Sequence, residues 1–317
     1  MNEGLNVLSL FDGMSAGMIA LERAGIKVKN YYASEIDKHA IKVSKANYPN
    51  IIQLGDVQSI DVTSLPKIDL LIGGSPCQSF SSLGNGTGFD GKSGLFFEFV
   101  RLVKELQPKN FILENVKMKK EWEDVITSYM GVTPIELNSK YVSAQNRPRL
   151  FWTNIDVKPM EDKGVVLSDV IEKEAQEKYF LTDKAKIYIT QKERLKKQLV
   201  NLNGNKENKA ITLLARYTGL NGTFLCVDCN GKLDHEKAGT LTARYAKGVA
   251  SFGGDSFVYD MEDITKERIR RFTPSECEKL QTVPVGYTSC VSDSQRYKML
   301  GNGWTVDVIA HIFQGLK

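Results

Sequence analysis

Short apolar, β-favouring runs alternate with helix-length amphipathic segments through the first half of the chain. Asn6–Leu10 (NVLSL) reads as a strand and runs into the Gly-bearing turn FDGMSAG, residues 11–17. Met18–Ala24 reads as a helix. Lys29–Ala33 gives a second strand with Glu35 just beyond it, and Asp37–Asn47 a second helix. Asp69–Ile72 is a strand, Leu95–Leu106 an amphipathic helix and Asn110–Leu113 another strand. Strand–helix alternation at this spacing predicts an α/β fold on an open, doubly wound, mostly parallel sheet.

Past about residue 160 the rhythm breaks. Residues 184–197 are lysine-rich and helix-like, and 201–260 are rich in Gly, Asn, Thr and aromatics, as in short strands and loops. KAITLLARYTG (209–219) echoes KAGTLTARYAKG (237–248), two related hairpins that would present Arg216–Tyr217 and Arg244–Tyr245. Helix-like patterns return in TPSECEKLQ (273–281) and VDVIAHIF (306–313). The expected organisation is one α/β domain, residues 1–162 and 292–317, interrupted by a smaller irregular domain, 163–291.

Charge sharpens that division. Net charge is +4, and residues 163–291 hold 21 Lys and Arg against 17 Asp and Glu, whereas the remainder holds 21 of each. A basic module beside a neutral body suits a polyanionic partner. Hydrophobic residues at 42% and charged residues at 25% are ordinary for a globular protein. The five cysteines are too few and too scattered for a disulfide framework. No apolar run is long enough for a membrane span, and MNEGLNVLSLF lacks the features of a signal peptide, so a cytoplasmic location is expected.

Four groups of residues carry chemistry. In a doubly wound fold, ligands bind outside the carboxyl ends of the strands. Gly13 and Gly17 let the backbone approach such a ligand, Glu35 can accept from ribose hydroxyls, and Asp56 after IIQLGD can take an adenine amino group. That set fits NAD, FAD or S-adenosylmethionine alike. Cys77 in GGSPCQSFS follows a proline at the end of a buried strand and precedes a glycine-rich loop, 81–94, which is where a nucleophile belongs. Glu114 in LENV ends the next strand. Arg147 and Arg149 in QNRPR are two apart, so in an extended segment they share a face.

FDGMSAG, GGSPCQSFS, LENV, QNRPR and LGNGWTVDVI (300–309) occur in the order and spacing of the C5-cytosine DNA methyltransferases, which the chain resembles over 6–157 and about 265–314. LFDGMSAGMIALERAGI, ASE, LFFEFVRL and KYVSAQNRPRLFW are especially similar to the de novo methyltransferases of animals. The resemblance implies an S-adenosylmethionine-dependent methyltransferase fold with an inserted target-recognition domain. It implies S-adenosyl-L-methionine as methyl donor, S-adenosylhomocysteine as product and no metal. In the family's manner Phe11 would stack on the adenine, Gly13 and Met14 line its pocket, Glu35 bind the ribose, and Asp56 take the amino group. Ile36 and Val57 would be apolar neighbours, with Pro76, Leu95 and Asn302 also at the cofactor. Cys77 would be the nucleophile, Glu114 would hold cytosine N3 and the exocyclic amine, and Arg147 and Arg149 would contact the flipped base. Gln78, Arg216 and Arg244 are the expected DNA contacts. The implied partners are double-stranded DNA and a cognate restriction endonuclease encoded nearby. The enzyme is expected as a monomer in a bacterial or virus-carrying bacterial cytoplasm. Ser15-Ala16 stands where a glycine pair is commoner, and Gly303 where Ser or Ala is usual.

Rival readings have specific weaknesses. GTGFDGKS (86–93) matches the P-loop pattern, but a P-loop follows its strand directly and here the strand ends near Gly74. Cys226-x-x-Cys229 with His235 lacks the second ligand pair of a structural zinc site. Intact Cys77 and Glu114 argue against a catalytically dead DNA-binding homologue. The long segment 163–260 favours reading of duplex DNA over RNA, and an amino-directed enzyme would carry Asp/Asn-Pro-Pro-aromatic where this chain has Ser75-Pro76-Cys77-Gln78.

Overall fold

The structure is a computed structural model. It describes residues 4–76, 94–184 and 270–316, and the backbone of 199–201, 224–226, 238–239 and 269. The chain divides into two compact units: residues 1–138, 148–160 and 306–317 form one, residues 139–147 and 161–305 the other. The chain re-enters the first unit at Val306, where the sequence pattern had suggested 292, because the helix Asp293–Asn302 packs against Pro274–Leu280 inside the second unit.

Along the first unit run β1 (Leu5–Leu10), α1 (Ala16–Arg23), β2 (Val28–Ser34), α2 (Lys38–Asn47), β3 (Ile52–Gln53), β4 (Leu70–Gly74), α3 (Phe96–Leu106), β5 (Asn110–Asn115), α4 (Lys120–Met130) and β6 (Ile135–Asn138). The chain then passes through β7 (Gln145–Asn146) of the second unit and returns as β8 (Pro148–Thr153). The first unit's sheet has the order β3-β2-β1-β4-β5-β8-β6. β8 alone runs against its neighbours β5 and β6; the other pairs are parallel. The order reverses between β1 and β4, which makes their carboxyl ends the switch point of the sheet.

Helices cover both faces, so the central strands read as near-continuous apolar runs. Leu8, Leu10, Leu71, Leu113 and Trp152 of the strands pack with Phe96, Phe99 and Leu102 of α3 and Ile126 of α4. α3 buries Phe96, Phe99, Val100 and Leu102 and turns Glu98 and Arg101 outward as an ion pair. α1 packs against the returning helix Val306–Phe313, and Arg23 pairs with Asp307 across that contact. α2 starts where the Asp37 side chain accepts from the His39 amide, an N-cap.

The second unit is organised by buried polar groups around the helix Pro274–Leu280. Thr273 and Glu276 close a capping box with Pro274 at the first helical position. Glu276 also takes both guanidinium nitrogens of buried Arg270, at 2.7 and 2.8 Å. Glu278, equally buried, accepts from Gly286, Thr288 and Arg296.

Close approach of β4 to β1 and α3 requires Gly73. A Cβ there would stand 2.9 Å from the Leu10 carbonyl oxygen and 3.2 Å from the Phe99 ring. Gly73→Ala is expected to cost ~1–3 kcal/mol of unfolding free energy, as overpacked cores do. An unchanged denaturation midpoint would contradict this packing at the switch point.

Candidate active site at the carboxyl edge of the sheet

Register brings four strand ends level. Leu10 of β1 pairs with Ser34 of β2 on one side and Gly73 of β4 on the other, and Gly74 pairs with Glu114 of β5. Phe11–Gly13, Glu35, Ser75–Pro76 and Glu114–Asn115 therefore emerge side by side from adjacent strands. Cys77, one residue past Pro76, lies outside the described residues, as do Gln78, residues 81–93 of the glycine loop with their GTGFDGKS stretch, Arg216, Arg244, Cys229 and His235.

The turn after β1 is unusual backbone. Phe11, Gly13 and Ser15 all have left-handed φ, at 56°, 60° and 63°. For Phe11 and Ser15 this conformation costs on the order of 1–3 kcal/mol each. It aims the Gly13 amide at Glu35, which accepts it at 2.8 Å on Oε2, while the Ile36 and Asp37 amides donate to Oε1 at 2.8 Å each. A carboxylate has about four acceptor positions, so the fixed Glu35 keeps capacity for a hydroxyl donor. A Cβ on Gly13 would meet nothing within 4 Å, so the turn faces open space. Beside it Ile36 is 76% exposed, an apolar side chain held out in solvent.

The remaining expected cofactor residues divide. Asp56 is exposed and its Oδ1 caps the turn Val57–Ser59 through the Gln58 amide at 3.0 Å. Met14 and Val57 are buried, and Val57 belongs to the core beneath the edge. Phe11, Pro76 and Leu95 are half-buried. Asn302 belongs to the second unit and is exposed at the end of the helix Asp293–Asn302.

Glu114 pairs with Phe151 on β8, and Arg149 sits two residues earlier on that strand. Diagonal neighbours on one face of a sheet are within reach of long side chains. Arg149 Nε donates to Glu114 Oε1 at 3.0 Å, with both side chains largely shielded from solvent. The next residue, Asn115, donates to Ser75 Oγ at 3.2 Å and accepts from the Val116 amide. This ties the chain two residues before Cys77 to the end of β5.

Arg147 does not share a face with Arg149. It lies between β7, which pairs with residues 238–239, and β8, so strand alternation does not run through it. It is buried in the second unit and donates to the carbonyls of Gly301 and Gly303, at 3.1 and 3.0 Å. Gln281, fully buried beside it, donates to the Leu300 carbonyl and accepts from Thr305, which in turn accepts from Ser139. These residues brace the NGW turn. Sequence reasoning missed Gln281 because a glutamine on an amphipathic helix reads as surface. Gly303 has φ −71°, so its backbone does not require glycine.

Of the described cysteines, Cys277 is fully buried, and its thiol is pushed well up, first by burial and then by Glu276 and Glu278. It is an inert core thiol. No helix among the described residues is long and apolar enough to cross a membrane.

A doubly wound sheet with a glycine turn after its first strand, a carboxylate after its second and a Pro-Cys sequence after β4 is compatible with an α/β methyltransferase. Among solved structures, the methyltransferase EhMeth of Entamoeba histolytica matches with a TM-score of 0.73 over 99% of each chain at 17% identity. The S. pombe Dnmt2 methyltransferase gives 0.67, also over 99% of each, at 16%. At those identities the likeness concerns the fold alone. In sequence, the type II methyltransferase M1.ScrFI of Lactococcus lactis subsp. cremoris is 31% identical over 96% of this chain and 75% of its own. The orphan methyltransferase M.SPRI of Bacillus phage SPR is 29% identical over 98% and 97%. Residues 5–317 match the model of the C-5 cytosine-specific DNA methylases, and the chain belongs to that family. It is a DNA (cytosine-5-)-methyltransferase, and S-adenosylmethionine is its methyl donor.

Beneath the turn, Asp12 is buried and its carboxyl is pushed up to about 6, by burial first, against the lowering effect of hydrogen bonds from Ser15, Ser9 and Tyr31; the charge of Glu35 raises it further. A carboxyl raised on folding binds its proton more tightly in the native state. It therefore contributes stability that is complete at acid pH and lost as pH rises from about 4 through about 6. The difference in melting temperature, wild type minus Asp12→Asn, is expected to grow on acidification from pH 7 to 4.5. A difference that shrinks over that range would mean that the hydrogen bonds outweigh burial.

Proposed function

We propose that the level strand ends form one catalytic edge in which Cys77 attacks C6 of a cytosine flipped out of duplex DNA. The observation that carries this reading is the Glu114–Arg149 pair at the register position opposite Gly74, three residues before Cys77. C5 of cytosine is a poor nucleophile. Addition of the Cys77 thiolate at C6 pushes an electron pair towards N3, which is protonated or hydrogen-bonded by the Glu114 carboxyl, while Glu114 accepts from the exocyclic amine. Arg149 holds the Glu114 carboxylate in orientation. S-adenosylmethionine, when bound, supplies the electrophilic methyl to C5. Loss of the C5 proton then expels Cys77 and restores the aromatic ring. The base is unreachable inside a duplex, so it must leave the stack, and the glycine loop 81–94 is the segment to close over it.

The residues after β1 and β2 suit that donor. Glu35 accepts from the ribose hydroxyls, Gly13 leaves room for close approach, and Phe11 and exposed Ile36 offer apolar surface to the adenine, with Asp56 at its amino group. This support rests on the open space above Gly13 and on the remaining acceptor capacity of Glu35. Leu95, Met14, Val57 and Pro76 back these groups. In the second unit Arg147 braces the segment carrying Asn302. Residues 163–291, which hold the whole net charge, form the target-recognition part, with Arg216, Arg244 and Gln78 as DNA contacts. The substrate is double-stranded DNA and the enzyme acts as a monomer. Relatives named type II methyltransferases support a place beside a restriction endonuclease in a bacterial cytoplasm, whereas the relative named orphan fits an enzyme without such a partner.

Bisulfite sequencing of DNA from a host expressing the protein tests the reading. The wild type is expected to protect cytosines in one short recurrent sequence, and Cys77→Ser to reduce protection by at least ~100-fold, because a serine hydroxyl is scarcely ionised at neutral pH. Protection by Cys77→Ser equal to wild type would overturn the nucleophile.

A further inference from the structure

Ser15 is the N-cap of α1, yet its hydroxyl makes no capping bond. It is fully buried in left-handed backbone, a place that usually requires glycine. The hydroxyl instead donates to Asp12 Oδ2 at 2.5 Å and meets Ser44 Oγ of α2 at 2.6 Å. Asp12 Oδ1 accepts from Tyr31 of β2 at 2.7 Å, and Ser44 accepts from Gln53 of β3 at 3.3 Å. The Asp12 amide donates to the Ser34 carbonyl and the Ser15 amide to the Asp12 carbonyl. A chain of buried polar groups thus links both ends of the strained turn to β2, α2 and β3, and Gly13, between those ends, is the residue whose amide meets Glu35.

We infer that Asp12 and Ser15 are positioning residues for the cofactor: their buried hydrogen bonds hold the turn in the left-handed form that presents Gly13 and fixes Glu35. Neither side chain need touch the ligand. Asp12 takes hydroxyl donors from Ser9, Ser15 and Tyr31, on different elements, and Ser15 carries the restraint on to Ser44. Removing the Asp12 carboxylate leaves a strained serine with one anchor lost, and the turn relaxes. Restoring glycine at 15 makes the same φ accessible without the anchor. The two positions are therefore coupled in cofactor affinity, whereas a contacting pair that merely stabilises the core would be coupled in stability and leave that affinity unmoved.

The inference rests on the reading of this edge as the S-adenosylmethionine site, and the test separates the two. Binding of S-adenosylhomocysteine is measured by titration calorimetry on wild type, Asp12→Ala, Ser15→Gly and the double variant, alongside KM and kcat. Asp12→Ala is expected to weaken binding and raise KM for S-adenosylmethionine about tenfold or more, with kcat falling less than about threefold, as loss of ground-state binding does. Ser15→Gly added to it should bring the affinity back to within about threefold of wild type, although the double variant carries more substitutions. Wild-type affinity in Asp12→Ala, or a double variant as weak as the single one, overturns the inference. Should Asp12→Ala not fold, Asp12→Asn keeps the shape and one acceptor. It is then expected to show a smaller loss that Ser15→Gly again reverses, and an Asp12→Asn affinity equal to wild type overturns the inference. A wild type that binds no S-adenosylhomocysteine would instead refute the reading of the site itself.

Discussion

Backbone pairing of β1 with β2 and β4, and of β4 with β5, decides where every chemical group of the first unit can stand. These hydrogen bonds set Leu10 level with Ser34 and Gly73, and Gly74 level with Glu114. A slip of one residue would exchange the side chains of the two covered faces and move Gly73 out of its close contact with Leu10 and Phe99, so packing on both faces locks the register. Gly73 lets the strands close up, and the residues beyond the strand ends inherit their positions from it.

What the register brings together, local bonds then aim. The turn after β1 is held in conformations that two of its residues adopt at a cost, and buried Asp12 and Ser15 offset that cost. At the other end of the edge, Arg149 reaches Glu114 because β8 runs antiparallel to β5, which puts the arginine on the diagonal of the carboxylate. Both devices spend polar groups in shielded surroundings, where a hydrogen bond is strong and a missing partner is costly.

Much of this was legible in the chain itself. β1, β2, α2, β4, α3 and β5 stand within a residue or two of their expected positions, because each carries a strong apolar period. The placement of Phe11, Glu35, Pro76 and Glu114 at the ends of β1, β2, β4 and β5 was legible for the same reason, since a strand's end predicts the sheet's edge. α4 was not, since of its residues only Ile126 and Met130 are buried and the pattern is mostly polar. β6 and β8 form a hairpin interrupted by residues 139–147 of the second unit, so no local signal joins them. The divergence of Arg147 from Arg149 was invisible for a related reason: two residues apart in an extended run predicts a shared face, and only the tertiary pairing shows that one strand ends before Arg147 and another begins after it.

Cys77 is the group that this edge is proposed to present to the base. Incubation with S-adenosylmethionine and a duplex carrying 5-fluorocytosine within the protected sequence tests it most directly, because fluorine cannot leave C5 as a cation and the adduct cannot resolve. The expected result is a stable protein–DNA adduct that peptide mass mapping assigns to Cys77, absent from Cys77→Ser. No adduct with an active wild type, or an adduct mapped to another residue, would contradict it.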